Sequence, residues 1–251
     1  MENNSIDKVT WCKIYTFLQT VDHVYITQEA KAKSFIEAVY WIARSGTNWR
    51  FLPREYGKWN TVYKRFIAWR DKDIWNKLHQ FFIQDPDLEW VSIDSTIVRA
   101  HASAAGYKKN QQDKEALGRS RGGFSTKIHA LVDALGNPLK FMITPGQRHD
   151  ITVAQQLIEN VHNCTVIADK GYDANWFREL LSSKNCLTVI PSRANRKKPY
   201  DYDKDLYKER HAIECLFSKI KHYRRVFSRF DKSLKSFTSF VAIVGAFIWL
   251  R

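Results

Sequence analysis

The chain of 251 residues carries 40 Lys and Arg against 26 Asp and Glu, a formal net charge of +14 at pH 7. Such an excess predicts a polyanionic partner, most often nucleic acid; the alternative is a basic protein without one. With 44% apolar residues the chain can bury a sizeable core, and its length suits one large domain or a medium domain plus a small one.

Neither end of the chain has the pattern of a membrane or secretory segment. The first residues lack a basic start followed by an apolar run, so we predict a cytoplasmic protein. The apolar run at residues 237–250 is shorter than the roughly 20 residues that a membrane span needs, so we predict a buried terminal helix. Four cysteines form no C-x-x-C pair and are predicted to be core thiols: Cys12, Cys164, Cys186 and Cys215.

Residues 1–88 are predicted to form a small all-helical domain. Apolar side chains recur there at helical spacing, and Gly46 offers a stop signal. Basic residues accompany the apolar residues at positions 59, 62, 66 and 69: Lys58, Lys64, Arg65 and Arg70. Short helices with basic residues and tight turns favour a helix-turn-helix-like DNA-binding unit. The alternative is a helical cap whose aromatic residues form only a core.

Residues 89–251 are predicted to form an α/β domain with a mixed sheet, after a boundary at residues 85–87. Strands are predicted at EWVSIDST and at residues 124–132 and 139–144. Helices at 151–161 and 176–181 then alternate with strands at 165–168 and 187–190. Three strands joined by short turns, followed by alternating helices and strands, indicate a mixed sheet flanked by helices.

Two basic loops, residues 102–125 and 192–204, are predicted to contact DNA phosphates. Arg119 and Arg121 are the contacts predicted in the first loop. The alternative is that both loops are merely solvated.

Three acidic residues form the candidate catalytic centre. Asp94 and Asp169 each end a predicted buried strand, where α/β folds place their sites, although an aspartate there often only caps the next turn. Glu214 falls on one stripe of a predicted helix with a phenol and two cations, Tyr207, Arg210 and Lys221, within roughly 60°. A structural salt-bridge ladder would look similar. Three converging carboxylates need a cation, and oxygen ligands suit Mg²⁺ or Mn²⁺.

These residues resemble the bacterial insertion-sequence transposases of the DDE class with a Tyr-x2-Arg-x3-Glu-x6-Lys signature. Tyr207, Arg210, Glu214 and Lys221 match the signature at every position. IDST and ADKGYD are similar to the two aspartate blocks, and GRSRGGFSTKIH and PGQRHD resemble the segments between them. GTNWRFLPREYGKWNTVYKRFIAW is similar to the accompanying helical domain, so that the likeness spans residues 30–250.

The resemblance implies a ribonuclease-H-like catalytic domain and a DNA transposase that cuts element ends and joins the 3′-hydroxyl to target DNA. It implies that Asp94, Asp169 and Glu214 bind two Mg²⁺ or Mn²⁺ ions, and that Tyr207, Arg210 and Lys221 contact DNA. Arg148 is a further predicted DNA contact. His149 and Asp150 are predicted to support the site, unless Asp150 only caps the following helix.

The predicted partners are the terminal inverted repeats of an element, target DNA, and further copies of the chain in a homodimer or higher oligomer. Two other functions stay open at this point. A metal-dependent nuclease that does not transfer strands would use the same three carboxylates. A non-catalytic DNA-binding regulator would use only the N-terminal helices.

Overall fold

The computed structural model describes residues 5–22, 24–106, 114–120 and 122–251, which fall into two compact units. The first unit contains the described residues of Met1–Gln84, with Ala102–Ala104 and Ile220–Arg251. The second contains the described residues of Asp85–His101 and Ala105–Lys219. The boundary near residue 88 stays a prediction, and residues 220–251 group with the N-terminal helices.

The secondary structure combines helices, strands and short 3₁₀ turns. The α-helices are α1 Lys8–Thr20, α2 Glu29–Ser45, α3 Trp59–Asp71, α4 Ile74–Phe82, α5 Ala154–Leu157, α6 Asn175–Ser183, α7 His211–Lys221, α8 Arg224–Phe227 and α9 Leu234–Trp249. The strands are β1 Trp90–Ala100, β2 Gly118–Ser120, β3 Gly123–Val132, β4 Pro138–Pro145, β5 Thr165–Ala168, β6 Leu187–Val189 and β7 Ser228–Arg229. Two of the 3₁₀ turns, Lys170–Tyr172 and Leu206–Arg210, carry residues of the candidate site.

The first unit is helical, as predicted, and its apolar stripes meet in an aromatic core. The helix α2 ends at Gly46, whose φ of 66° lies in the left-handed region that glycine adopts without strain. Phe66 of α3 stacks on Phe240 of α9 at a ring-centroid distance of 4.8 Å. Most residues of α9 are buried, which confirms the predicted buried terminal helix. No helix among the described residues is long and apolar enough to span a membrane.

Two of the four basic residues predicted to face DNA serve the first unit internally. The Arg65 guanidinium lies 4.4 Å from the ring centroid of Phe35, and its burial lowers the pKa of this arginine. Arg70 donates a hydrogen bond to the Ser236 hydroxyl at 2.9 Å. Lys58 and Lys64 are exposed. The DNA-docking interpretation of this unit therefore depends on fewer cations than the sequence offered.

The second unit is built on a mixed sheet with the strand order β4-β3-β1-β5-β6, and β2 also pairs with β3. The pairs β1–β3 and β3–β4 are antiparallel, whereas β1–β5 and β5–β6 are parallel. This confirms the predicted mixed sheet flanked by helices. The short strand β2 was not predicted because it lies in the basic loop 102–125, whose composition gives no strand pattern.

The two faces of this sheet carry separate helical layers. Val91 and Ile93 point into one core, which also contains residues of α5 and α6. Trp90 and Ile167 point into the other, against the 3₁₀ turn Leu206–Arg210 and the start of α7. Because side chains alternate along a strand, Asp94 follows the parity of Trp90 and faces the layer of α7. Ser95 faces the opposite layer.

Several predicted elements differ in extent from the observed ones. The helix predicted at residues 151–161 is only a 3₁₀ turn, Asp150–Val153, followed by the short helix α5. The helix predicted through residues 207–221 is divided into the 3₁₀ turn Leu206–Arg210 and α7. Of the four cysteines predicted to be buried, Cys12 and Cys215 are exposed; both sit in helices with one solvent-facing side.

Candidate active site

The first two carboxylates belong to neighbouring, parallel strands, Asp94 within β1 and Asp169 directly after β5. The register pairs Ile93 of β1 with Ala168 of β5, and the next residue on each strand is an aspartate, Asp94 and Asp169. Asp169 ends its strand, as predicted, and its Oδ1 accepts a hydrogen bond from the Gly171 amide at 2.8 Å. The prediction that Asp94 ends a strand is wrong. Strand β1 continues to Ala100, since its antiparallel pairing with β3 extends beyond the end of β5.

The third carboxylate is joined to the first by an arginine. Arg210 Nη1 donates to Asp94 Oδ2 at 2.6 Å, and Arg210 Nη2 donates to Glu214 Oε1 one helical turn further on. Asp94 Oδ1 accepts from the Ser95 amide at 2.7 Å. The guanidinium therefore places a positive charge between two of the three predicted catalytic carboxylates.

Tyr207 packs its ring against the guanidinium of Arg210. Its ring centroid lies 6.0 Å from the Arg210 guanidinium carbon, and its ring also contacts that of Tyr202 at 5.6 Å. Burial raises the pKa of the Tyr207 hydroxyl, and this phenol therefore stays protonated at neutral pH. The structure thus brings together Asp94, Asp169, Tyr207, Arg210 and Glu214.

The environment of Asp94 disfavours its ionised form. Burial raises the pKa of Asp94 to about 6, against the opposing effects of the Ser95 amide and Arg210, and the charges of Asp169 and Asp150 raise it further. The side chain is 17% exposed. A carboxylate with a raised pKa between two other acids is a place where an added cation would be stabilising.

A fourth carboxylate, Asp150, supports the opposite side of β1. Its Oδ1 accepts from the Ser95 hydroxyl at 2.7 Å and from Lys127 Nζ at 2.8 Å. His129 Nδ1 lies 3.7 Å from the same oxygen. Asp150 is not the N-cap of α5, because its carboxylate is turned toward β1 and β3. It thereby holds the residue whose amide binds Asp94.

Two buried polar atoms beside these acids have no hydrogen-bond partner among the described residues: the Tyr172 hydroxyl and His129 Nδ1. Tyr172 is fully buried, and burial together with the charges of Asp150, Asp94 and Asp169 raises the pKa of its hydroxyl well above the ordinary value. Burial lowers the pKa of His129 to about 4, so its imidazole is neutral at pH 7.

The donor set suits a hard divalent cation in chemical type. Asp94, Asp169 and Glu214 offer only oxygen atoms, the ligands that Mg²⁺ and Mn²⁺ prefer. Within the described part of the chain, no three His, Cys, Asp or Glu side chains converge closely enough to hold a metal ion. Arg210 already bridges two of the three carboxylates, and a metal ion would have to replace its guanidinium there.

The remaining predicted site residues lie outside this cluster. Arg119 is exposed on β2, and Lys221 is exposed at the last residue of α7. Arg148 and His149 are exposed and line a cavity of about 440 Å³ together with Lys127, Asp150 and Gly171. Arg121 lies outside the described residues.

The second basic loop is held in place by a buried aspartate. Asp173 accepts hydrogen bonds from Arg178 Nε at 2.9 Å, from the Arg193 amide at 2.9 Å and from Arg196 Nε at 2.8 Å. Arg193 also donates to the carbonyls of Lys170 and Gly171, in the turn that follows Asp169. The arginines of this loop thus have internal partners, which the sequence-based prediction of phosphate contacts did not include.

The supporting residues Ser95, Lys127, His129 and Tyr172 were not identified from the sequence. Ser95 directly follows Asp94. Lys127 and His129 are two positions apart on a predicted strand, and this spacing only weakly indicates that their side chains share a face. Their relation to Asp150 depends on the pairing of Ser95 with His129 across β1 and β3. That register is not visible in one sequence.

Comparisons with known proteins agree with this architecture. The family described as "Transposase DDE domain" matches residues 85–249, and a family of transposases of the IS4/5 group matches residues 6–79. A Brucella ovis protein named as a transposase of insertion sequence element IS6501 is 43% identical over 129 residues, covering 51% of this chain and 99% of that protein. A Burkholderia cepacia protein named as a transposase of IS402 is 28% identical over 126 residues, covering 45% of this chain and 56% of that protein.

A solved structure shares the fold over almost the whole chain. The piggyBac transposase, in a synaptic complex with hairpin DNA, superposes with a TM-score of 0.56 at 12% identity, covering 96% of this chain and 70% of that one. The mixed sheet is therefore ribonuclease-H-like, as the sequence predicted. Since the family match spans residues 85–249 and the N-terminal match precedes it, the chain belongs to the insertion-sequence transposases with a DDE domain.

Proposed function

We propose that the chain is a DNA transposase that cleaves element ends and joins the resulting 3′-hydroxyl to target DNA. The single observation that carries this proposal is the contact of Arg210 with both Asp94 and Glu214, beside the strand end that carries Asp169, in a chain of this family. A ladder of salt bridges along one helix accounts for the contact between Arg210 and Glu214. It does not account for the hydrogen bond from Arg210 to Asp94, which lies 116 positions away in the sequence.

The cofactor in this proposal is a pair of divalent ions, Mg²⁺ or Mn²⁺, held by Asp94, Asp169 and Glu214. Bound there, the ions would activate the attacking oxygen and stabilise the leaving oxygen at a phosphodiester. Divalent metal is what the DDE family normally uses. The chain's own contribution is to hold three carboxylates of one sheet edge and one helix in a fixed arrangement.

Arg210 changes partner in the proposed reaction. A guanidinium binds carboxylate and phosphate with the same bidentate geometry. If divalent cations were held by Asp94 and Glu214, the guanidinium would be free to turn to a phosphate of the DNA strand. Tyr207 beneath it limits the directions in which the arginine can swing, because the ring occupies one side of the guanidinium.

Asp150 is proposed to position Asp94 rather than to react. It binds the Ser95 hydroxyl, and the Ser95 amide binds Asp94, so that the chain of contacts fixes the orientation of one Asp94 oxygen. Lys127 keeps Asp150 from adding its full negative charge to the cluster. His149 lines the adjacent cavity and is proposed to support the site from there.

The proposed partners are double-stranded DNA of element ends and target, and at least one further copy of the chain. The net charge of +14 supports DNA binding. Arg119, Arg121, Arg148 and Lys221 are proposed phosphate contacts; three of these are exposed in the structure, and Arg121 lies outside the described residues.

The test is a cleavage and joining assay on linear DNA that carries the ends of the chain's own element. Wild-type protein with Mg²⁺ should nick the ends and yield joined product with a target plasmid. Asp94→Asn, Asp169→Asn and Glu214→Gln should lose both activities. The matched control is Glu209→Gln, which removes a carboxylate from the turn Leu206–Arg210 and should retain them.

Each result has a distinct meaning. Nicking without joined product would favour the nuclease without strand transfer. Retention of more than a few per cent of nicking in any of the three variants would contradict the assignment of that carboxylate.

A further inference from the structure

A second recess of the catalytic unit lies beside the turn that carries Asp169. It has a volume of about 700 Å³ and is formed by the start of α6 and the basic loop 192–204. Its walls include Trp176, Asn175, Asn195, Glu179 and Arg196. Neither the three carboxylates nor Arg119, Arg148 and Lys221 belong to it.

The indole of Trp176 is the main apolar surface of this recess. It is 44% exposed, although tryptophan is usually largely buried. One side of the ring is supported by Phe177, whose ring centroid lies 5.6 Å away at an interplanar angle of 65°. The indole therefore packs on Phe177 and leaves much of its surface free to contact a ligand.

The polar groups around the indole are fixed as well. Arg196 is bound to Asp173 at 2.8 Å, and it donates to Asn175 Oδ1 at 2.8 Å. Its guanidinium also lies 4.9 Å from the ring centroid of Tyr200. Since Asn175 uses its oxygen for Arg196, its amide nitrogen is the group left to donate to a ligand.

The polar groups of the recess suit the edge of a base. The carboxylate of Glu179 is exposed at the wall, where it would repel a phosphate but accept hydrogen bonds from an exocyclic amine. The guanidinium of Arg196 is held by Asp173, which Arg178 also binds. An indole surface, amide groups and a carboxylate acceptor together match the π-face and the edge of a nucleobase.

The recess is linked to the catalytic centre through Arg193. This residue lines both the recess and the 440 Å³ cavity that contains Lys127, Arg148 and Asp150, which lies on the side of β1 opposite Asp94. Its guanidinium donates to Gly171 O at 2.8 Å, two residues after Asp169. A DNA strand that enters the catalytic centre would thus have the recess within reach of a neighbouring nucleotide.

We propose that this recess binds one unpaired base of the DNA substrate, which lies on the Trp176 indole. The base must be unpaired and unstacked, because in a duplex both of its faces are covered by the adjacent bases. The inference rests on the proposed function, since it assumes that DNA is the substrate. It adds a site for single-stranded DNA to a chain whose other proposed contacts are to duplex phosphates.

The test compares single-stranded and blunt duplex oligonucleotides of the same sequence, with binding followed by fluorescence anisotropy. Trp176→Ala should weaken single-strand binding about tenfold, as expected for the loss of one stacked base, and should change duplex binding less than twofold. Trp176→Phe keeps an aromatic face and should retain most of the affinity. Tyr25→Ala, which removes an aromatic residue that is 84% exposed in the other unit, is the matched control and should have no effect.

A direct readout is photo-crosslinking of a strand that contains 5-iodouracil, with the modified residue found by mass spectrometry. Crosslinking at Trp176 is expected. Equal weakening of single-strand and duplex binding by Trp176→Ala, or unchanged single-strand binding in a variant with a normal melting temperature, would overturn the base site alone. A wild-type chain that binds neither DNA would overturn both this inference and the proposed function.

Discussion

Replacing Asp94 by asparagine should make the protein more stable at neutral pH while it abolishes cleavage. Burial raises the pKa of Asp94 from its ordinary value of 3.8 to about 6, and this value already includes the attraction of Arg210. At pH 8 the folded protein must therefore hold a carboxylate in ionised form against its environment. Asparagine has the shape of the protonated acid and removes that penalty.

The size of this stabilisation and its dependence on pH follow from the pKa of Asp94 in the unfolded and in the folded chain. A raised pKa means that the folded state keeps the proton longer than the unfolded state, so wild-type stability falls as the pH rises from about 4 to about 6. At roughly 1.4 kcal/mol for each pKa unit, the full difference is about 3 kcal/mol. For a chain of this length that corresponds to a rise in melting temperature of about 6–12 °C at pH 8. Below pH 4 the variant and the wild type should melt together.

The assay is thermal unfolding of both proteins from pH 4 to pH 8 in the presence of a chelator. Asp173→Asn is the matched control with the opposite sign. Although burial alone would raise the pKa of Asp173, hydrogen bonds from Arg196, Arg193 and Arg178 lower it. That variant should therefore be destabilised, most strongly above pH 4. An Asp94→Asn protein that melts lower than wild type at pH 8 would show that its contact with Arg210 outweighs burial.

Three further outcomes are expected. Arg210→Gln should bind Mn²⁺ several-fold more tightly in calorimetric titration without DNA, because no guanidinium competes for Asp94 and Glu214; an unchanged affinity would contradict the proposed exchange of partners. Binding to DNA should weaken steeply with salt, with a log–log slope near −5 if about six phosphates are neutralised; a nearly salt-independent affinity would assign the positive charge another purpose. Lys221→Gln should leave the melting temperature unchanged but weaken binding of element ends and lower the salt slope by about one; wild-type binding would remove Lys221 from the DNA contacts.

The elements that a single sequence predicted well are those whose signals are local. The strand at residues 165–168 is a short apolar run that ends at an aspartate, and β5 has the same bounds. The end of α2 before Gly46 could be predicted because only glycine adopts that positive φ angle freely. In both cases the residues that decide the structure lie within a few positions of each other.

The errors come from interactions between distant segments. The pattern around Asp94 suggested a short strand, and only the pairing with β3 extends β1 to Ala100. The same pairing places His129 opposite Ser95, next to Asp150. No local spacing connects residues 95, 129 and 150. The contacts of Asp150 were therefore beyond a prediction from one sequence, whereas Asp94, Asp169 and Glu214 could be proposed from local patterns.

The division of the predicted helix at residue 210 gives the signature Tyr-x2-Arg-x3-Glu a structural explanation. Tyr207 and Arg210 are three residues apart in a 3₁₀ turn, where three residues make one turn, so that the phenol lies beside the guanidinium. Arg210 and Glu214 are four residues apart at the start of α7, where four residues bring side chains together. The change of spacing from three to four thus coincides with the change from 3₁₀ to α-helix. A single α-helix would place all three residues on one stripe, but the tighter turn directs Arg210 toward Asp94 as well. The salt-bridge ladder and the proposed catalytic arrangement are therefore not alternatives, because the contact with Glu214 holds Arg210 where it reaches the sheet.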